Sequence, residues 1–159
     1  MSDKTTMRLP ELLQRYPEIE LIEMSDDMPT SEKAAETCGL GLSSIAKTLI
    51  IKTEKEFVAL ILRGSDRVDE KSVKVLLACK KFRFASPEEA LSITSYPAGG
   101  IPPIGLGPLV SKVLLDRKVL EKEWVLAGGG DRPKLIKISP RLIAELSSAQ
   151  IVDIAMGQK

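Results

Sequence analysis

The apolar residues fall into short runs, and the runs carry two different periods. Residues Leu9 to Tyr16 read as a short helix with Pro10 in its first turn, where a missing N–H costs nothing. "IELIEM" predicts a strand. Thr30 or Ser31 predicts the cap of a helix that runs to about Cys38 and stops at Gly39. "AKTLIIK" and "EFVALILR" are rich in Ile, Leu and Val and predict two strands joined by a polar turn through Thr53 and Glu54. Asp69 predicts a helix cap, with Val73, Leu76 and Leu77 at helical spacing and an end near Lys80. "SPEEAL" carries a full helix start: Ser86 as cap, Pro87 at the first position and Glu89 closing a capping box. After that helix ends near Thr94, "KVLLD" (Lys112 to Asp116), "WVLA" (Trp124 to Ala127) and "KLIKI" predict strands. Ser139 and Pro140 begin a last helix over Arg141 to Ser148, and "IVDIA" predicts a closing strand.

Hairpins stand beside helical crossovers in this order, so the pattern predicts a mixed α+β (α/β) fold with a central mixed sheet covered by helices. Strands that are apolar over most of their length are expected to be buried on both faces. Without repeats, low-complexity tracts or a linker, the pattern predicts a single domain over residues 1–159.

Composition narrows the function classes. The chain has 159 residues, 43% apolar and 28% charged, which is a globular composition. No apolar run approaches the roughly 20 residues that span a bilayer, and the N-terminus is too charged for a signal peptide. Cys38 and Cys79 stand apart in unrelated contexts, as buried thiols of a reducing compartment would, so a cytoplasmic location is expected. There is no histidine. That removes the commonest general base, the commonest zinc ligand and every Ser-His or Cys-His pair. No P-loop and no G-x-G-x-x-G occurs, and aromatic residues are 4%. Nucleotide cofactors and base-stacking platforms are therefore not expected, nor is a metal. Charge is uneven behind a net of +1: Glu11 to Glu36 holds eight acids and two bases, and Lys47 to Lys81 nine bases and five acids. The second segment suits a polyanion, and both suit ordinary solvated faces.

Two features carry candidate chemistry. Lys47 interrupts the apolar run "SSIAKTLIIK". It fits a partly desolvated cation that binds an anionic or carbonyl group, and equally a strand-end lysine reaching for solvent. The stretch "SYPAGGIPPIGLG" combines Gly99-Gly100 with Pro102-Pro103. Such a loop can hold successive N–H groups toward an oxyanion, and can equally be a stiff connector. Asp116 and Asp131 stand near strand ends and read as turn residues or as functional acids.

Taken in order, these segments resemble the YbaK/ProX family of aminoacyl-tRNA deacylases, which includes the editing insertion domain of bacterial prolyl-tRNA synthetases. The resemblance runs over residues 28 to 155. "MPTSEKAAETCGLGLSSIAKTLIIK" is similar to the family's Thr, helix and "vaKtLv" pattern. "EFVALILRGSDRVDEKSV" is similar to its second strand and "G-d-x-r-v-d" turn. "SYPAGGIPPIGL" resembles its Gly-Tyr-x-x-Gly-Gly-x-x-Pro-x-Gly loop, and "VLLDRKVLEKEWVLAGGGDRPKLIKISPRLI" its closing strands and helix. The resemblance implies a barrel-like mixed sheet surrounded by helices. It implies hydrolysis, in trans, of the ester of a mischarged tRNA, typically tRNA-Pro carrying Ala or Cys, without metal or cofactor and assisted by a ribose hydroxyl of the substrate. Lys47 falls on the family's key lysine, and Gly99, Gly100, Ile101, Pro102 and Pro103 on its substrate loop. Thr30, Ile45 and Asp131 complete the expected substrate-binding set, with Met24, Met28, Ile45 and Ile101 as an apolar pocket wall. The partners implied are the acceptor end of aminoacyl-tRNA and prolyl-tRNA synthetase. Ser95, Pro102 and Ile104 depart from the family's usual residues, and its upstream His and Tyr have no counterpart near Leu21 to Met28, which bears on amino-acid specificity. The alternative readings are a non-catalytic tRNA- or synthetase-binding module of the same fold and a small-molecule-binding domain.

Overall fold

The structure is a computed structural model that describes residues 8–23, 41–131 and 134–157. The helix expected from Thr30 or Ser31 to Cys38 lies outside the described residues, as do Met24, Met28 and Thr30.

The centre is the hairpin of β2 (Ala46–Thr53) and β3 (Phe57–Arg63), antiparallel from Ala46↔Arg63 to Lys52↔Phe57. Thr53 closes its turn: the hydroxyl accepts from the N–H groups of Lys55 and Glu56, each at 3.0 Å. β6 (Lys112–Asp116) runs parallel to β3, and β9 (Gln150–Val152) parallel to β6. β5 (Phe82–Phe84) pairs with the far edge of β2, giving the order β5-β2-β3-β6-β9. Two smaller sheets flank it: β1 (Glu20–Glu23), β8 (Lys134–Ile138) and β7 (Val125–Gly128) in one, β4 (Asp66–Val68) and β10 (Ala155–Gly157) in the other. The mixed α+β class is the one the sequence predicts, with one correction. The strands form three sheets and no closed barrel among the described residues, because β5 and β9 each end the large sheet.

Alternation along β3 explains the layering. Ala59 and Ile61 point into one core, and Val58, Leu60 and Leu62 into the other, all without exposure. Helices α1 (Leu9–Arg15), α3 (Pro87–Thr94) and α4 (Pro140–Ser147) cover the first with Leu9, Leu12, Ala90, Ile143 and Leu146. α2 (Glu70–Leu77) covers the second with Val73 and Leu77.

Three boundaries differ from expectation. α2 stops at Ala78, whose left-handed φ of 51° ends the helix before Lys80. β4 and β5 are too short to show in the sequence pattern and exist because a partner strand offers them an edge. "IVDIA" breaks into β9 and β10, because the buried Asp116 carboxylate accepts the Ile154 N–H at 2.8 Å and takes it out of any ladder. The same carboxylate accepts from Lys118 N–H at 3.0 Å, capping the 3-10 turn Arg117–Glu121.

Thr48 is an exception to polar satisfaction. Its buried hydroxyl has no hydrogen-bond partner among the described residues, and alternation puts it on the side of Ala46 and Ile50, in the first core. A buried hydroxyl without a partner costs about 1–3 kcal/mol. Thr48→Val is therefore expected to raise stability by about 1 kcal/mol in urea unfolding at unchanged m-value. A loss of that size would mean the hydroxyl is satisfied after all.

Candidate functional site

Lys47 is the first component. Alternation sets it on the face of β2 shared with Leu49 and Ile51, the face of the second core. The side chain is half-buried, and its Nζ donates to the main-chain carbonyl of Asp66 at 2.5 Å. Burial pushes the ammonium below its ordinary lysine value, and the nearby Asp66 charge opposes that drop. The carboxylate of Asp66 is fully buried and receives a fork from Arg63, Nε at 2.8 Å and Nη2 at 3.0 Å. That bond holds the guanidinium above its ordinary value. Arg63 also reaches Glu121 at 3.6 Å. A further bond ties this corner down: Gly64 N–H donates to the Ile45 carbonyl at 2.7 Å.

The loop after α3 is the second component. Ser95 takes a left-handed φ of 67° as the helix C-cap, a conformation that favours glycine. Pro97 to Gly100 form a turn closed by Gly100 N–H donating to the Pro97 carbonyl at 2.8 Å. Gly99 supplies the φ of 86° that a type II turn needs at its third position. The Gly100 carbonyl accepts from Gly130 N–H at 2.8 Å. Gly100 therefore uses both its main-chain groups inside the protein, contrary to the expectation that its N–H is a working donor. The N–H groups of Gly99 and Ile101 make no main-chain hydrogen bond among the described residues. Ile101, Pro102 and Pro103 are buried. Ile101 joins the first core, and the Pro103 carbonyl accepts from the buried Ser147 hydroxyl. Pro102 and Pro103 thus anchor the loop more than they line a cavity.

The glycines of "GGGDRP" are the platform under this loop. A Cβ on Gly128 would stand 2.6 Å from the Ile101 carbonyl and 2.8 Å from the Gly100 carbonyl carbon. Glycine is required because two stretches of main chain meet there. Three successive glycines closing an apolar strand are more than a turn needs, and that was the available signal. Arg63 and Asp66 were missed for a different reason, since two opposite charges three residues apart look like any surface pair.

The two components are linked through β7. Ile45, buried at the start of β2, forms a parallel bridge with Leu126. Two residues further along each strand stand Lys47 and Gly128. Bridged residues of parallel strands share a face, and so do residues two positions on. By that alternation Lys47 and Gly128 project to the same side of the β2–β7 junction. Asp131 is exposed just beyond, its carbonyl accepting from Lys134 N–H at 2.7 Å. Thr30 lies outside the described residues. Among the described residues no three His, Cys, Asp or Glu side chains cluster as metal ligands, and no helix is long and apolar enough to cross a membrane.

Comparisons with known proteins agree on one family. The model described as "Aminoacyl-tRNA editing domain" matches residues 25–146. The uncharacterized protein YwhH of Bacillus subtilis (strain 168) is 33% identical over 135 residues, which cover 84% of this chain and 85% of YwhH. The proline–tRNA ligase of Geobacter metallireducens is 30% identical over 122 residues, 72% of this chain and 21% of the ligase. A solved structure provisionally described as a trans-editing enzyme for prolyl tRNA synthetase is 26% identical, covers 99% of both chains and superposes with a TM-score of 0.82.

Proposed function

The chain belongs to the aminoacyl-tRNA editing domain family, and on that premise we propose that it is a trans-acting deacylase of mischarged tRNA. In this reading it works in the cytoplasm as a single editing domain over residues 1–159, on tRNA-Pro carrying alanine or cysteine, alongside prolyl-tRNA synthetase. The observation that carries the reading is the shared face of Lys47 and Gly128, the residue on which the turn is seated.

The reaction asks little of the protein beyond position and charge. Water adds to the ester carbonyl carbon, the carbonyl oxygen takes up negative charge, and the bond to the ribose oxygen breaks as that oxygen gains a proton. Free amino acid and intact tRNA result. An aminoacyl ester is already activated, so orientation and stabilisation of the oxyanion supply most of the acceleration. The Gly99 and Ile101 N–H groups are the donors assigned to the aminoacyl group. Lys47 supplies the positive charge at the 3′ end, and a neighbouring ribose hydroxyl of the substrate assists the water. Ile45 and Ile101 supply apolar wall, Pro102 and Pro103 hold the loop, and Thr30 and Asp131 complete the substrate contacts. A surface cleft lined by Lys52, Lys81 and Arg83 with Glu54 and Phe82 offers cations to the acceptor-stem phosphates.

A panel of mischarged tRNAs tests this directly. Release of alanine or cysteine from tRNA-Pro above the uncatalysed rate is the expected result, with correctly charged Pro-tRNA spared. Binding without release from any member of the panel would make the chain a tRNA-binding module and overturn the enzyme reading. Raising salt from 50 to 200 mM is expected to weaken tRNA binding by at least tenfold, as phosphate contacts require.

A further inference from the structure

The deacylase reading uses Lys47 but leaves unexplained what holds a lysine in place on an apolar face of a sheet. The groups around it answer that. Lys47 projects from β2 opposite Leu62 of β3, and the strand offers it no acidic neighbour. Its ammonium is met by the main-chain carbonyl at the first residue of β4. The charge of that residue, Asp66, opposes the drop that burial imposes on the ammonium. The position of Asp66 is fixed three ways: β4 is paired to β10 through Asp66↔Gly157, the Arg63 fork grips both carboxylate oxygens, and Gly64 is tied to Ile45. A carboxylate with no exposure is held there only because its charge is paired.

We propose that Asp66, clamped by Arg63, is the positioning residue of the site: its carbonyl fixes the Lys47 ammonium in place, and its carboxylate supplies the counter-charge. Neither group touches substrate in this arrangement. The turn "RGSD" is then a device that converts an ion pair into a placed hydrogen-bond acceptor. The i,i+3 spacing of Arg63 and Asp66 lets the fork close across the Gly64-Ser65 bend, so one local element sets both the distance and the field at Lys47. The other charged groups near this corner act on Arg63 rather than on Lys47. Glu121 approaches it from the 3-10 turn, and Asp116 from the end of β6. On β7 the facing residues are Leu126 and Gly128, which carry no charge.

The inference rests on the deacylase reading for its catalytic meaning, so its test has a readout independent of activity. Competitive labelling with acetic anhydride over a pH series, followed by peptide mass spectrometry, gives the pH midpoint of the Lys47 amine in the folded protein. Asp66→Asn keeps the carbonyl and the shape but removes the charge. The Lys47 midpoint is then expected to fall by about one pH unit, because desolvation acts unopposed. A merely structural role predicts the reverse, since a loosened and hydrated corner would return Lys47 upward toward ordinary lysine. An unchanged or raised midpoint overturns the proposal. Should Asp66→Asn fail to fold, Arg63→Gln serves: it strips the buried carboxylate of its partner, an unpaired buried carboxyl is neutral, and the Lys47 midpoint is expected to fall as in Asp66→Asn, a rise overturning the proposal. No movement there overturns the proposal equally. With substrate, Asp66→Asn is expected to lower kcat roughly tenfold with KM near wild type, and to shift the alkaline limb of the rate profile down with the labelling midpoint. If wild type releases no amino acid while the midpoint still falls, the deacylase reading fails and the positioning of Lys47 by Asp66 stands.

Discussion

Lys47→Ala is expected to lower kcat/KM for the mischarged tRNA by about 10²–10³-fold, the usual cost of one electrostatic contact to charge that develops in the transition state. The fold is expected to survive, because the residue removed is a half-buried cation on a strand whose ladder partners remain. Desolvation of the ammonium opposes folding, so the thermal midpoint of the variant should equal or exceed wild type. Lys47→Arg separates charge from placement. It keeps the cation but carries a planar fork that does not fit a single carbonyl acceptor, and most of the loss is expected to remain. Single-turnover deacylation and a melting curve on the same samples check both points. Full activity in Lys47→Ala would remove the lysine from the proposed mechanism.

Gly128→Ala is expected to be a severely damaging single methyl group for the substrate loop. Its Cβ would stand 2.6 Å from the Ile101 carbonyl and within 2.9 Å of the Gly100 carbonyl oxygen, and both are main chain, which cannot rotate away. The loop must lift, and the Gly130-to-Gly100 hydrogen bond of 2.8 Å stretches with it. Overpacking of this kind costs about 1–3 kcal/mol. Displacement of the substrate turn by about 1 Å is expected to lower activity on the order of 10²-fold. Gly100→Ala is the graded comparison. There the nearest contacts are at 3.2 and 3.3 Å, one of them the side chain of Pro97, so relief by a few tenths of an ångström is available and the losses should be smaller. Urea unfolding and the deacylation rate of the two variants give the order. Equal stability of Gly128→Ala and wild type would show that the loop is not seated on β7.

The site was legible in the chain only in part, for physical reasons that differ by residue. Lys47 stood out because a cation inside an apolar run has to be held by something, and the loop stood out because Gly99 and Pro103 fix opposite extremes of main-chain freedom. Which loop N–H groups are unclaimed was not legible. Gly100 loses its own to Pro97 by a turn that depends on Gly99 adopting positive φ. Arg63 and Asp66 read as solvated charges until the turn between β3 and β4 brought Asp66 inside. The triplet Gly128 to Gly130 takes its meaning only from the loop that lies across it.

By itself the sequence determined the local elements and their class. The Ser86, Pro87 and Glu89 start of α3 forms its capping box as written, since every partner lies within three residues. The continuous apolar runs made β2, β3, β6 and β8 strands, because runs this short bury their side chains on the two faces of a sheet and are shorter than a typical helix. Only the tertiary structure decided the rest. β4 and β5 are strands because partner edges reach them, "IVDIA" is two strands because Asp116 claims an N–H from its middle, and the sheet remains open because β5 and β9 lie at opposite edges. That Lys47 and Gly128 project to one side also depends on residues far apart in the chain, through the bridge of Ile45 to Leu126. Local pattern fixes what a segment becomes when its satisfying partners are near in sequence. Where the partner is a distant main-chain group, only the folded chain supplies it.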